Sequence, residues 1–259
     1  YQPRGADDPT APSDAAALVA LADRMDTLVG CFAVGQVPTG TADPLALRRA
    51  ALGVLRTVLD KNWDLSLSAA ISTAYAAFSG VKLDADVAET SDKLLAFFIQ
   101  RLRGLLEQAL PPSAVDACIA AHADRPHDVA LRVRALAQID PGVRALAGEV
   151  FKRAANIAKD APDGDPVAPA EVVEEVHATE DALFTAFSRL RAEVGAAHQS
   201  RDYAGALDSI AAFAPVLARY FDDVLVMAKE PRVRDNRLKL MRQIHRTCST
   251  IAHFNLLAG

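Results

Sequence analysis

The sequence predicts an all-α protein, a multi-helix bundle in two helical subdomains, on three observations. Ala and Leu dominate while aromatic residues make up only 6% of the 259-residue chain and Gly is sparse, which favours helix over sheet. Apolar residues recur at helical spacing in one segment after another. No alternating strand pattern of useful length interrupts them.

Each segment carries its own start or stop signal. Residues 1–12 are turn-rich and expected to be irregular. Ser13 is a fit N-cap for a helix to about Val34 through Leu18, Leu21, Met25, Leu28 and Val29. A Gly/Pro/Thr loop covers 35–43. Asp43-Pro44 then reads as a cap followed by Pro at the first helical position, opening a helix with Leu45, Ala51, Leu52, Leu55 and Leu59 on one face. A helix is expected over about 65–79. A long amphipathic one follows over 86–109, with Leu94, Phe97, Phe98, Leu102, Leu105 and Leu106 at helical spacing, and Pro111-Pro112 stops it. Two shorter helices, about 113–123 and 127–139, lead to Pro141, which opens a helix to about Lys159. Residues 161–168 look like a linker, and an acidic helix is expected over 169–198 with Glu171, Glu174, Glu175, Glu180 and Asp181 on a solvated face. From Arg201 to about Val226 the pattern is helical with Pro215 inside it, so a kink or a restart is required. Pro231 breaks the chain again before a last helix from about Arg232 to Phe254.

The formal net charge is −5, so any contact with nucleic acid must be local. Lys229 to Arg246 holds seven Lys/Arg against two acids, and that local reversal of sign points to an anionic partner. Cys31, Cys118 and Cys248 match no CxxC spacing, so neither a zinc site nor a disulfide framework is expected, and a reduced, cytoplasmic setting fits. No apolar run approaches the roughly 20 residues of a membrane span. Tyr1 is not a methionine, and the chain reads as a piece of something longer.

Several blocks together resemble one family. Ala22-Asp-Arg-Met-Asp-Thr-Leu-Val-Gly30, Pro38-Thr-Gly40, Asp43-Pro44 with Leu47-Arg-Arg-Ala-Ala-Leu-Gly-Val-Leu-Arg56, Phe97-Phe-Ile-Gln-Arg-Leu-Arg103, Phe151-Lys-Arg-Ala-Ala-Asn-Ile157 and Phe221-Asp-Asp-Val-Leu-Val-Met227 with Asn236-Arg-Leu238 are similar to the beta subunit of bacterial heterotetrameric glycyl-tRNA synthetase. The resemblance covers nearly the whole chain. It implies the end of an HD-like domain and a following helical region over 1–140, then a DALR-type anticodon-binding bundle over 141–259. It also implies glycine tRNA, the synthetase alpha subunit and the rest of the beta subunit as partners. Catalysis with ATP and Mg would reside in the alpha subunit, with no cofactor and no catalytic residue in this portion.

Residue chemistry separates the candidate sites. Asp23 sits where HD-type phosphohydrolases place a metal-binding Asp, but the His and His-Asp partners are absent and a structural role is expected. A remnant of a metal-dependent phosphohydrolase, or a helical docking scaffold, is the alternative reading. His127-Asp128 reads as a helix start. Arg48 and Arg49 point about 100° apart and are expected to be solvated or paired, with RNA-backbone contact the alternative. On the last helix Arg232, Asn236, Lys239, Gln243 and Arg246 form one polar stripe, the candidate RNA contact. Lys152, Arg153 and Asn156 form a second basic edge. Phe151, Tyr203 and Tyr220 are the available aromatic platforms; Phe151 is assigned to packing and Tyr220 joins the RNA candidates. Arg237 falls in the apolar sector and needs a carboxylate, for which Asp222 and Asp223 are the candidates.

Overall fold

A computed structural model of the chain describes residues 8–39 and 43–257. The expected irregular start therefore lies outside the described residues as far as 7, and the 35–43 loop does so over 40–42. Among the described residues there are ten α-helices, two 3-10 turns and no strand. The chain is all-α.

The chain forms two compact units: Tyr1–Ala109 with Ala123–Ala130, and Leu110–His122 with Leu131–Gly259. These units divide at 109/110, 122/123 and 130/131, whereas the family resemblance implies a division at 140/141. The helix Pro112–Ala121 goes with the second unit because its buried face, Ala114, Val115 and Cys118, belongs to that core, and because His253 N–H donates to the Ala117 carbonyl at 2.8 Å.

In the first unit, α1 (Asp14–Ala33) packs on α2 (Leu47–Asp60), α3 (Leu67–Ala76) and α4 (Val87–Leu106). Side-chain caps set three of these starts: Ser13, Ser66 and Asp86 each accept an N–H from the first turn. Asp124 completes α3 by accepting Ser68 N–H on its side chain (2.8 Å) and Leu67 N–H on its carbonyl (2.9 Å), which draws 123–130 into this unit. Leu28, Val29 and Phe32 of α1 are buried, as are Val54 and Leu55 of α2, Ile71 of α3 and Leu94 and Phe98 of α4, and Phe32 meets the Phe97 ring edge-on at 5.0 Å.

α2 begins later than Pro44 suggests. Ala46 adopts the left-handed conformation, φ 55°, and Asp43 reaches past it to accept Leu47 and Arg48 N–H at 2.8 and 3.1 Å. Asp43 is therefore still the cap, whereas Pro44 sits in the preceding turn and Leu45 is exposed, with Leu47 taking the core place. Arg49 is exposed and Arg48 half-buried; Asp23 is exposed on α1 and packs in no core, while its neighbour Arg24 is buried.

The second unit contains α5 (Pro112–Ala121), most of α6 (Pro126–Gln138), α7 (Pro141–Ala158), α8 (Ala178–Ser200), α9 (Tyr203–Asp223) and α10 (Pro231–Ser249). Asp140 caps α7 through Gly142 and Val143, with Pro141 at the first position, where its missing N–H is harmless. α8 and α9 pack together across a turn whose Arg201 takes the left-handed conformation. α9 runs unbroken through Pro215, which lies on its exposed side. Phe151, Phe187, Phe213 and Phe254 form a chain of ring contacts through the core, with Phe151 at 3% exposure, as expected of a packing residue. Arg132, fully enclosed, donates to the carbonyls of His122 (2.9 Å) and Ile251 (3.4 Å) and lies over Tyr203.

The acidic helix expected from 169 starts only at Ala178. A 3-10 turn, Pro169–Glu171, and an irregular stretch precede it, and His177 caps it by accepting Thr179 N–H. Val172, Val173 and Val176 favour that interruption, since β-branched side chains lose rotamer freedom in a helix.

Gly53 is fixed by packing. A Cβ there would lie 2.7 Å from Nε and 3.1 Å from Cδ of the buried Arg24. We expect Gly53→Ala to lower stability to denaturant by about 1–3 kcal/mol through overpacking. In an Arg24→Ala background the same change should become neutral or stabilising by up to about 1 kcal/mol, from helix propensity alone.

Candidate nucleic-acid interface

Arg237 fixes what lies around it. Its Nε and Nη2 donate to the two carboxylate oxygens of Glu180 on α8 at 2.7 and 2.5 Å, and Nη1 donates to the Leu225 carbonyl at 2.9 Å. The Glu180 side chain is 3% exposed and the Arg237 side chain 14%. The carboxylate pushes the Arg237 pKa still higher. The partner is therefore Glu180, not Asp222 or Asp223. Asp223 instead accepts from Thr179 Oγ1 (2.7 Å) and Arg219 (3.4 Å), which hold its carboxyl below the usual range, and Asp222 is exposed. Glu180 is thus buried and paired, not part of a solvated acidic face.

Tyr220 is fully enclosed next to this pair, and burial, together with the nearby Glu180, pushes its phenol pKa up. It is a core residue, with no face open to a base. Tyr203 is likewise buried.

The polar stripe of α10 is largely occupied by the chain's own 161–171 segment, which lies along it as a strap. Asn236, 8% exposed, accepts Val167 N–H at 2.8 Å and donates to the Val167 carbonyl at 3.0 Å, so both ends of its amide are used. Arg242 donates to the carbonyls of Ala161 and Gly164 and to Asp163 Oδ1, and Gln243 donates to Asp165 Oδ1 at 2.6 Å. Arg232 donates to the Glu171 carbonyl at 2.8 Å. Gly164 makes this course possible at φ 108°, a backbone region L side chains rarely adopt, beside the Lys239 ammonium. Asn236 and Gln243 are therefore strap anchors and not open base readers. Lys239 is half-buried, Arg232 is exposed though bonded to the strap, and Arg246 is exposed near the helix end.

The second basic edge is open. Lys152, Arg153 and Asn156 are all exposed on α7, and Lys159 donates to Asn156 Oδ1 at 3.0 Å. The Arg153 guanidinium lies 4.3 Å over the Phe221 ring. Beside it α9 ends at Asp223, and the apolar run that followed in sequence is not helical: Val224 is extended (φ −125°, ψ 124°). A groove of about 390 Å³ opens there, lined by Arg153, Ile157, Phe221, Asp222, Leu225 and Met227 among others. Leu225 is 71% exposed and Met227 55%. Sequence periodicity gave no hint of this groove, although two large apolar residues beyond a helix end and just before Pro231 were its signal.

Among the described residues, no group of three or more His, Cys, Asp or Glu is arranged to hold a metal ion. His127 and Asp128 are buried in the first turn of α6. No helix among those residues is long and apolar enough to cross a membrane.

Residues 149–254 match the family described as DALR anticodon binding domain, which places the second unit in that class of helical domain. Residues 1–120 match the family described as Glycyl-tRNA synthetase beta subunit. Proteins named glycine–tRNA ligase beta subunit are similar over almost the whole chain. That of Anaeromyxobacter dehalogenans (strain 2CP-C) is 41% identical over 260 residues, 98% of this chain and 36% of the relative. That of Citrifermentans bemidjiense is 38% identical over 262 residues, 100% of this chain and 37% of the relative. That of Geobacter sulfurreducens is 43% identical over 231 residues, 88% and 33%. The chain belongs to the glycyl-tRNA synthetase beta-subunit family, and it spans about a third of the length of these relatives.

Three substitutions, two on α10 and one on α9, separate these roles. Arg237→Ala should cost about 3–5 kcal/mol, because it strands the buried Glu180 charge, whereas Asp222→Ala should stay within about 0.5 kcal/mol as a surface change. Asn236→Ala should cost about 1–3 kcal/mol by leaving the Val167 backbone unpaired, and limited proteolysis should then cut within 161–171 sooner than in the parent.

Proposed function

We propose that this chain is the tRNA-binding part of a glycine–tRNA ligase beta subunit, and that its second unit holds the anticodon arm of glycine tRNA. The observation that carries this reading is the match of the second unit to the DALR anticodon-binding family. The open cationic edge of α7 supplies the physical means: Lys152, Arg153 and Lys159 are exposed, and guanidinium and ammonium groups bind phosphate oxygens. Arg246 of α10 adds a further exposed cation. Chemistry lies elsewhere in this proposal. The alpha subunit binds ATP and Mg and activates glycine, and this portion works in the cytoplasm with the alpha subunit and the rest of the beta subunit as its partners.

The reading is tested by fluorescence anisotropy with the 259-residue chain, using a glycine tRNA transcript and one altered at the anticodon. The altered transcript should bind more weakly; equal, weak binding to both would overturn the proposal. Lys152→Ala and Arg246→Ala should each lower the slope of log affinity against log salt by about 1, the share of one phosphate contact. Gln243→Ala should leave that slope unchanged.

A further inference from the structure

We propose that the groove between Arg153 and the 221–227 segment is a pocket for one unpaired nucleobase carrying an exocyclic amino group, with Asp222 as the residue that reads it. This rests on the tRNA-binding reading above and goes further, by assigning a base and a specificity-determining residue to a definite place.

The walls suit a flat ring. The planar Arg153 guanidinium is seated on Phe221 and is itself exposed, so its outer face is available for stacking, and guanidinium planes and aromatic rings are the usual supports for splayed-out bases. Leu225 and Met227 stand out from the segment at 71% and 55% exposure beside it. That is costly for two large apolar side chains unless something covers them, and a patch of this kind rimmed by charge marks a binding site. The groove is small, about 390 Å³, at the low end of pockets for compact ligands.

The charges divide the ligand. Lys152 and Asn156 lie one helical turn apart on the ridge next to that of Arg153 and Ile157, which puts the Lys152 ammonium and the Asn156 amide beside the groove for the backbone phosphates. The groove itself holds carboxylates, which repel phosphate, so the part of the RNA that enters must be a base. Of its two acids, Asp223 is already engaged by Thr179 and Arg219. Asp222 is exposed and makes no hydrogen bond among the described residues. An ionised carboxylate only accepts, so it favours a base edge that offers an amino group. Cytosine offers one, whereas uracil presents its single N–H between two carbonyl oxygens that the carboxylate repels.

The probes are two RNA hairpins of identical stem, one with an all-cytidine loop and one with an all-uridine loop, titrated with the 259-residue chain. The cytidine loop should bind about 10-fold more tightly, within the usual discrimination of a good side-chain–base contact. Asp222→Asn should bring that ratio close to one without moving the salt dependence. Leu225→Ala and Met227→Ala, both at exposed positions, should weaken both hairpins about equally, with unchanged thermal unfolding. The inference is overturned if Asp222→Asn keeps the preference, or if the two apolar truncations leave RNA affinity untouched. A loss of alpha-subunit binding in the latter case would make the patch a protein-docking surface. If both hairpins bind and respond to Lys152→Ala while Asp222→Asn changes nothing, the pocket fails and the tRNA reading stands. If neither hairpin nor tRNA binds, both fail.

Discussion

The second unit depends on the contact between Arg237 and Glu180. A bidentate guanidinium–carboxylate pair has one workable geometry, so it fixes both the rotation and the height of α10 against α8. The same guanidinium holds the Leu225 carbonyl, and so it also sets the course of the segment after α9. One side chain thereby decides which face α10 turns to the strap and how Leu225 and Met227 are presented. Neither group can be removed cheaply, since each leaves the other as a charge in a poorly solvated place. The enclosed Tyr220 ring beside the pair excludes water from it.

The strap follows from the backbone's need for partners. Residues 161–171 make only one short 3-10 turn, so most of their N–H and C=O groups find no partner within the segment. α10 supplies what is lacking. Asn236 is both donor and acceptor to Val167, and Arg242 spreads its donors over two carbonyls and a carboxylate. Two of the segment's acids, Asp163 and Asp165, meet Arg242 and Gln243. Much of the positive charge that marks this stretch in the sequence is thus spent within the unit.

The fold was legible because its signals are local. Ser13, Pro141 and Pro231 mark helix starts through their own side chains or rings, and the apolar spacing of α4 picks out its buried face, with Leu94, Phe97, Phe98, Leu102 and Leu106 all in the core. The site was less legible because its partners are distant in sequence. Asn236 and Val167 are 69 positions apart and Arg237 and Glu180 are 57. A helical wheel correctly puts Arg237 apart from the polar stripe, but nothing in it says which carboxylate arrives or that a loop lies over the stripe. Asp222 and Asp223 were attractive partners only because they are near in the chain. The groove was missed for a related reason: Leu225 and Met227 fit a helical pattern on paper, and only the end of α9 at Asp223 turns them outward.

The distribution of charge bears on how an acidic chain can hold RNA. Salt-dependent affinity reflects the cations that reach phosphates, not the net charge of the chain, so what counts is how many remain available once internal demands are met. On α10 Arg237 and Arg242 are committed to a carboxylate, to backbone carbonyls or to both, and Lys239 is half-buried against the strap. On α7 Lys152, Arg153 and Lys159 remain at the surface, and the cation–aromatic contact of Arg153 uses the face of the guanidinium while its N–H donors lie in the plane. The helix with fewer charges in the sequence thus presents Lys152 and Arg153, with Lys159 at its C-cap, against Arg232 and Arg246 as the exposed cations of α10. A surface of few, well-placed cations gives modest affinity, so discrimination must come from contacts to bases, and an apolar recess beside those cations lies next to Asp222.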